Sequence, residues 1–307
     1  MKNIIINKNI LFTIMLVGLL SCDRDEGFER EQYKNVFALI SGTDNVFTRF
    51  HDLRENESIG YLSASCGGTN PTQNDIIATI VEDSSLVDNY NKLSFDVEYD
   101  KYAHHLSKSK YSINSSQLII PSGETGATLP INIRPEGLSP DSVYLIPLKV
   151  DAHDNYEVNS EKSYVLYRVR IKNFYARDSE GTTYNLIGNQ NGVNIFGTKI
   201  MHPLGANKVR VMAGAETFKS DIKVLEKLAI VIEVDENNNL KISPYSNLQV
   251  TQVDGDSDYP NIFKIEFDGY RYYKTFLLRY DYTYNNQTIQ ISEEMRYNFN
   301  PKDEDEL

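Results

Sequence analysis

Short runs in which apolar and polar residues alternate, separated by clusters of Gly, Pro, Asn and Asp, fill most of this 307-residue chain. A period of two places every second side chain on the same face of an extended strand, so such runs are typical of half-buried β-strands. The regular runs of the first half are KLSFDVEYD at 92–100, TLPINIRP at 128–135, YLIPLKV at 144–150 and YVLYRVRI at 164–171. The pattern predicts an all-β protein.

The chain divides at KNFYARDSEGTT, a segment that begins at Lys172 and breaks the alternation. The runs before it have one apolar face and one polar face, which in YVLYRVRI carries Arg168 and Arg170. They predict an immunoglobulin-like β-sandwich over residues 33–173. The runs after it predict a β-meander over residues 180–300 that forms a small barrel or a second sandwich.

One hairpin can be read directly from the second half of the chain. Ile230, Ile232 and Val234 alternate up to the turn DENNN, after which LKISPY returns. The only segments that favour a helix are short: SSLVDNYNKL at 84–93 and KSDIKVLEKLA at 219–229. Helices are therefore expected to contribute little to the fold.

A strand near the C-terminus has one continuously apolar, mostly aromatic face. The residues that share this face are Phe276, Leu278, Tyr280, Tyr282 and Tyr284. Such a face either lines the interior of a barrel or forms an open surface for ligand stacking, since Tyr offers an apolar ring and a hydroxyl. The sequence favours the interior.

The N-terminal segment predicts the destination of the protein. Two lysines precede an apolar run at 10–20, which fits a secretory signal and is too short to span a bilayer. The run ends in LLSC at 19–22, which resembles a bacterial lipoprotein cleavage box. That resemblance implies a signal peptide at 1–21 and an acylated Cys22, which would hold the protein firmly on a membrane. An ordinary secreted protein is the alternative.

Acidic residues crowd the segment 22–32 that follows the cleavage box, and a second acidic stretch ends the chain at 301–307. The first segment resembles the export tag of Bacteroidetes surface lipoproteins, so we expect a lipid-anchored outer-membrane protein that faces the cell exterior. A periplasmic lipoprotein with a solvated tether is the alternative. The formal net charge of −12 argues against nucleic acid as a partner.

The chain has two cysteines, so acylation of Cys22 would leave Cys66 without an intrachain disulfide partner. Cys66 lies in the small-residue turn SASCGGTN, and a buried, unreactive thiol is favoured over a nucleophile. The adjacent His104 and His105 would point to opposite faces of a strand, and the other histidines are isolated. No sequence motif indicates a cofactor or a familiar catalytic centre.

The segment VDGDSDYPN begins like a calcium loop. Asp254, Asp256 and Asp258 have the i, i+2, i+4 spacing, but Tyr259 replaces the required Gly and Ile265 replaces the bidentate Glu. A solvated turn is therefore favoured over a calcium site. A glycosidase site of two carboxylates stays open as an alternative, because its members need only converge in space.

Several segments resemble a known family. They are VEDSSLVDNYNK at 81–92, YSINSSQLIIPSGETGATLPINI at 111–133, VYLIPLKV at 143–150, YRVRIKNFY at 167–175, MHPLGANKVRVMAGAETF at 201–218 and ISEEMRYNF at 291–299. The first four resemble the N-terminal domain of a Bacteroidetes surface-lipoprotein family, a domain that also precedes the catalytic barrel of some family-18 endo-β-N-acetylglucosaminidases. The last two resemble a β-rich partner domain of unknown function.

The resemblance implies a protein of a glycan-utilisation system that works beside a TonB-dependent importer and its glycan-capturing lipoprotein partner. It does not imply hydrolysis. The acidic run D-x-x-D-x-D-x-E of family-18 catalysis is missing, and the chain has no room for a (β/α)₈ barrel of about 250 residues.

Two functions are compatible with these observations. The first is a non-catalytic lipoprotein that binds a poly- or oligosaccharide, and the second is a structural lipoprotein that docks a protein partner. Sugar rings stack on exposed aromatic side chains, and this chain has 21 Tyr but no Trp. The candidate stacking residues are Tyr259, Tyr270, Tyr272 and Tyr273.

Overall fold

The computed structural model describes residues 34–68, 70–153, 156–178 and 180–302. Twenty strands and two α-helices lie in these ranges, so the predicted all-β class is confirmed. Within them, no helix combines the length and the apolar character needed to cross a membrane. The signal segment, Cys22, the acidic segment after it and most of the acidic C-terminus lie outside the described residues.

Two facing sheets form the N-terminal sandwich. The strands of the first sheet, in pairing order, are β10 (Glu157–Val158), β1 (Val36–Leu39), β3 (Ser58–Gly67), β8 (Gly126–Ile133) and β6 (Tyr111–Ser112). Those of the second are β2 (Val46–Asp52), β11 (Tyr164–Lys172), β9 (Tyr144–His153), β4 (Ile76–Glu82) and β7 (Gln117–Ile120), with β5 (His104–His105) also paired to β9. Most pairs are antiparallel, but β2 and β11 run parallel, so this sheet is mixed.

Apolar side chains from both sheets fill the space between them. Phe37 and Leu62 come from the first sheet, Ile146 and Tyr167 from the second, and each is at most 1% exposed. Burying a side chain of this size contributes roughly 1.5–3 kcal/mol. The facing apolar stripes therefore hold the sandwich together, as the alternation predicted.

The run that begins at Lys92 is not a strand, and the prediction for it was wrong. Residues Ser85–Phe95 form helix α1, which confirms the helix predicted over SSLVDNYNKL. The carboxylate of Asp83 accepts hydrogen bonds from the amide (3.1 Å) and the hydroxyl (2.7 Å) of Ser85, which stabilises the first turn. Leu93 is 89% exposed, so the alternation in this run does not reflect a buried face.

Helix α1 covers part of the outer face of the second sheet. Val87 of the helix lies in one buried cluster with Leu145 of β9 and Leu166 of β11. The expectation of a wholly polar outer face was therefore wrong here. The polar residues of that face flank the helix, and Arg168 donates a hydrogen bond of 2.7 Å to the hydroxyl of Tyr90.

A third sheet forms the C-terminal domain. Its strands, in pairing order, are β16 (Leu240–Pro244), β15 (Ala229–Val234), β14 (Lys208–Met212), β13 (Val193–Gly205), β12 (Thr182–Gln190), β20 (Gln287–Phe299), β19 (Tyr272–Tyr284) and β17 (Gln249–Gln252), with β18 (Ile262–Phe267) also paired to β19. The predicted hairpin is confirmed as β15 and β16, which are antiparallel. The short helix predicted before β15 is confirmed as α2 (Ile222–Leu228).

The two ends of the third sheet meet, so the sheet is a nearly closed barrel. The amide of Leu240 donates to the carbonyl of Asn261 at 2.8 Å. The side chain of Gln252 extends this seam, because its Oε1 accepts from the Ile242 amide (2.7 Å) and its Nε2 donates to the Leu240 carbonyl (3.1 Å). The side-chain amide of Gln252 therefore pairs with β16 much as a backbone peptide group would.

The aromatic face of β19 lines the barrel interior, which confirms the favoured interpretation. Phe276, Leu278 and Tyr280 are fully buried. A buried ion pair lies among them: Lys199 Nζ is 2.7 and 2.6 Å from the two carboxylate oxygens of Glu293, and the Tyr280 hydroxyl donates to Glu293 at 3.0 Å. The ammonium of Lys199 and the Tyr280 hydroxyl thus offset the buried charge of Glu293, mainly through its Oε1 atom.

The two domains contact each other through polar groups as well as through the linker. The side-chain amide of Asn173 in the linker donates to the carbonyls of Gly205 (2.8 Å) and Lys208 (2.9 Å). Arg210 of β14 donates two hydrogen bonds of 2.6 Å to the carboxylate of Asp141 in the sandwich, although the Arg210 side chain is only 1% exposed. This pair clamps the barrel to the sandwich.

Candidate functional site

The hairpin of β18 and β19 projects from one end of the barrel. Its turn runs from Asp268 to Arg271, and the Asp268 carboxylate accepts hydrogen bonds from the amides of Tyr270 (2.9 Å) and Arg271 (2.8 Å). Gly269 has a φ of +95°, a backbone conformation that favours glycine. The tip of the hairpin therefore has a fixed shape.

Two exposed aromatic rings and a half-buried third lie beside this turn. Phe267 and Tyr272 pair across the two strands with ring centroids 4.7 Å apart, and they are 56% and 40% exposed. Phe299 of β20 pairs with Tyr272 and lies 6.1 Å from it. We call Phe267, Tyr272 and Phe299 the hairpin platform. An exposed aromatic surface that is rigidly held is suited to stacking on the apolar face of a ligand.

Lys274 packs against the buried side of the platform. It is 2% exposed, and its Nζ lies 4.7 Å from the ring centroid of Phe299 and 3.9 Å from that of Phe174 in the linker. The same ammonium donates a hydrogen bond to the Phe174 carbonyl. Cation–π contacts of this kind fix the ring of Phe299 against the linker.

The four candidate tyrosines do not form one group. Tyr270 is 93% exposed at the hairpin tip, close to Tyr272 of the platform. Tyr273 is on the opposite face of β19, where the guanidinium of Arg296 lies 4.0 Å from its ring centroid. Tyr259 lies near Glu294, which pairs with Leu277 of β19. Leu277 is five residues from Tyr272, or roughly 17 Å along the strand, so Tyr259 is far from the platform. Only Tyr270 and Tyr272 are therefore positioned at the platform.

Sequence reasoning missed Phe267 and Phe299. The available signal was the short turn DGYR, which places Phe267 opposite Tyr272 and thus on the same face of the sheet. Phe299 carries no such local signal, because it reaches Tyr272 only through the pairing of β19 with β20.

Two of the three aspartates of VDGDSDYPN, Asp254 and Asp256, accept hydrogen bonds within their own turn and next to it. Asp254 accepts hydrogen bonds from the side chains of Gln252 (2.7 Å) and Asn261 (3.1 Å), which lower its pKa. Asp256 accepts from the amides of Tyr259 and Asp258 at 2.9 Å each, with the same effect on its pKa. Across the described ranges, no group of three or more His, Cys, Asp or Glu side chains could hold a metal ion.

The histidines and the cysteine of the sandwich have different environments. His51 is fully buried, its ring nitrogens lie 3.1 Å from the hydroxyls of Ser58 and Tyr167, and burial lowers its pKa to about 4. Cys66 is a buried free thiol whose pKa is raised by burial, as expected for an unreactive cysteine. His104 and His105 are exposed on β5.

Two family models match this chain. One, for an N-terminal domain, matches residues 31–157, and the other, for a C-terminal domain, matches residues 163–296. No curated protein sequence is significantly similar to it.

Solved structures of Bacteroides proteins share the fold. A Bacteroides ovatus protein of unknown function is 17% identical, with a TM-score of 0.59 over 87% of this chain and 95% of that one. An auxiliary nutrient binding protein from Bacteroides thetaiotaomicron is 11% identical, with a TM-score of 0.54 over 84% of this chain and 94% of that one. EndoBT-3987 of that species, solved with a Man5GlcNAc product, matches only part of this chain, at 17% identity and a TM-score of 0.34 over 44% of this chain and 30% of that one, which is too low to show a common fold.

Proposed function

We propose that this chain is a non-catalytic accessory protein of nutrient utilisation that binds a saccharide. The chain belongs to the two-domain all-β family whose N-terminal and C-terminal models it matches. The observation that carries this proposal is the exposed pair of Phe267 and Tyr272 on the hairpin platform. The auxiliary nutrient binding protein of similar fold supports the general role.

The chemistry of the platform fits a sugar ring. Pyranose rings have an apolar face of C–H groups, and each aromatic ring that stacks on such a face removes apolar surface from water. Tyr272 adds a phenol hydroxyl at the edge of the platform, and Tyr270 and Arg271 add exposed polar groups on the turn. These groups would bond the sugar hydroxyls that surround the apolar face.

The binding test uses protein that starts at Asp23, with the signal segment and Cys22 removed, in native gels that contain one polysaccharide each. Retardation by one class of glycan, lost in the double variant Phe267→Ala/Tyr272→Ala, is the expected result. Tyr99→Ala is the matched control, because Tyr99 is 71% exposed on the sandwich and far from the platform in sequence. Retardation that persists in the double variant would contradict the assignment of the platform.

The cellular location is part of the same proposal. Cleavage before Cys22 and acylation of its sulfur would anchor the protein in the outer membrane, and the acidic residues after it would direct it to the exterior. Labelling of cells with a radioactive fatty acid should mark the wild-type protein and not Cys22→Ser. Loss of the protein from intact cells treated with an external protease would support exposure on the surface, and full protection would point to the periplasm.

A different surface favours docking of a protein partner, such as a TonB-dependent importer. Near the end of α1, Leu93, Val97 and Tyr99 are 89%, 67% and 71% exposed, and a cavity of about 700 Å³ lies beside Leu93 and Tyr164. Exposed apolar clusters of this kind often mark protein interfaces. Under this alternative, Leu93→Asp abolishes co-purification with an outer-membrane protein while Phe267→Ala/Tyr272→Ala does not.

A further inference from the structure

A cavity of about 450 Å³ lies where the sandwich meets the barrel. Phe50 and Arg170 are paired neighbours on β2 and β11, at the outer face of the second sheet. The linker folds back along β11, since the Ile171 amide donates to the Asp178 carboxylate (3.0 Å) and the Asp178 amide donates to the Ile171 carbonyl (2.9 Å). We call this cavity the junction cleft; among its lining residues are Phe50, Arg170, Arg177, Asp178, Thr183 and Tyr297.

Two arginines of the cleft are not held in ion pairs among the described residues. Within the described ranges, the guanidinium groups of Arg170 and Arg177 form no ion pair and no hydrogen bond. The Arg177 guanidinium lies 5.5 Å from the ring centroid of Phe50, and burial lowers the pKa of Arg170. Asp178 and Glu180 also line the cleft, and their charges favour the charged form of Arg170, but neither carboxylate forms an ion pair with it. In a chain of formal net charge −12, two unpaired arginines facing one cavity favour an anionic ligand.

Asp178 adds a second, independent observation. It is only 4% exposed, and its Oδ1 has no hydrogen-bond partner in the part of the chain that the structure describes. Burial raises its pKa to about 7, against the opposing effects of the Ile171 amide and Arg170. A buried polar atom without a partner is costly, and a ligand in the cleft would supply one. In its protonated form the Asp178 carboxyl can donate a hydrogen bond to an anion.

Gly181 follows Asp178 closely, and its amide donates a hydrogen bond of 3.5 Å to the Asp178 carbonyl. Gly181 has a φ of +71°, and a Cβ atom there would lie 2.3 Å from Cγ2 of Ile200 and 2.8 Å from the carbonyl oxygen of Met201. The close approach holds the turn against β13. The cleft is therefore formed before a ligand arrives.

We propose that the junction cleft binds one acidic sugar unit, with its carboxylate or sulfate group on Arg170 and Arg177 and its ring against Phe50 and Tyr297. The volume falls in the range of small-molecule sites, roughly 300–1,000 Å³. The planar guanidinium groups can each bind an oxyanion through two parallel hydrogen bonds. The preference for an anion follows from the arginine side chains of the cleft, whereas the assignment of the ligand as a sugar rests on the proposed function.

The test is calorimetric titration of the protein that starts at Asp23 with four probes. They are a trisaccharide of galacturonic acid, a sulfated lactose, neutral maltotriose and sodium sulfate. The variants are Arg170→Gln and Arg177→Gln, with Arg134→Gln as the matched control, since the side chain of Arg134 is 43% exposed on the sandwich away from the cleft. Arg177 is exposed, so Arg177→Gln keeps the test valid if Arg170→Gln fails to fold.

We expect one of the two acidic sugars to bind, with affinity at least tenfold weaker in each cleft variant and unchanged in Arg134→Gln. The platform variant Phe267→Ala/Tyr272→Ala is titrated with the same probes. Which acidic sugar binds decides between carboxylate and sulfate. Three results would overturn the proposal: no binding of either acidic sugar, equal binding of maltotriose and the acidic sugars, or sodium sulfate that binds as tightly as the sugars. Binding lost only in the platform variant would also overturn it, while leaving the proposed function intact.

Discussion

At the residue scale, burial acts on His51 and Asp178 in the same way but shifts their pKa values in opposite directions. Removal from water disfavours the charged form, which lowers the pKa of His51 to about 4 and raises that of Asp178 to about 7. His51 has hydroxyl partners on both ring nitrogens, whereas Oδ1 of Asp178 has none among the described residues. Neither environment could be predicted from sequence, since Asp178 is buried only because the linker folds back on Ile171.

The pH dependence of stability tests the environment of Asp178. Its pKa in the folded state, about 7, lies above the ordinary 3.8, so the folded state holds the proton more tightly. Stability therefore falls as pH rises from 3.8 to about 7 and is level above that. Between pH 5 and pH 8 the free energy of unfolding should fall by about 3 kcal/mol more in the wild type than in Asp178→Asn. Urea denaturation at both pH values measures the difference. The exposed Asp88→Asn should behave as the wild type, and equal slopes in all three proteins would contradict the assignment.

At the element scale, the sequence predicted the parts whose signals are local. The hairpin of β15 and β16 and the strand β8 were predicted because alternation and turn residues lie within a few positions of each other. The segment around Leu93 was assigned to a strand wrongly, because alternation carries weight only where one face becomes buried. Barrel closure was one of two open possibilities, since it depends on long-range pairs such as Leu186 of β12 with Met295 of β20, which lie far apart in the chain.

The seam of the barrel can be tested through Gln252. Gln252→Leu leaves the Ile242 amide and the Leu240 carbonyl without their partner, so the protein should lose about 1–3 kcal/mol of stability. Hydrogen exchange of the Ile242 amide should become faster while exchange in β12 and β13 stays slow. Gln249→Leu on the same strand is the control, because Gln249 is exposed. Unchanged exchange at Ile242 would mean that the side chain does not close the barrel.

At the scale of the whole molecule, the junction decides how the two domains act together. The hairpin platform belongs to the barrel, whereas the junction cleft takes Phe50 and Arg170 from the sandwich and Tyr297 from the barrel. A cleft built from both domains keeps its shape only if the domains keep their relative position. The sequence showed the break after Lys172 but not the contacts across it, because Asp141 and Arg210 are 69 residues apart.

The clamp between Asp141 and Arg210 is therefore the contact on which the cleft depends. Asp141→Ala would leave the guanidinium of Arg210 buried without a counter-charge, although the Tyr245 ring, 5.0 Å away, stabilises it in part. Breaking a buried ion pair in this way typically costs about 3–5 kcal/mol, and the 30% exposure of the Asp141 side chain places the expected loss at the lower end. Calorimetry should show a lower melting temperature, with the unfolding of the barrel separated from that of the sandwich.

The exposed pair of Lys208 and Glu233 provides the control, since Glu233→Ala should change the melting temperature little. A single unshifted transition in Asp141→Ala would mean that the linker alone couples the domains, and the junction cleft would then have to be held by linker contacts such as those of Asn173 and Asp178.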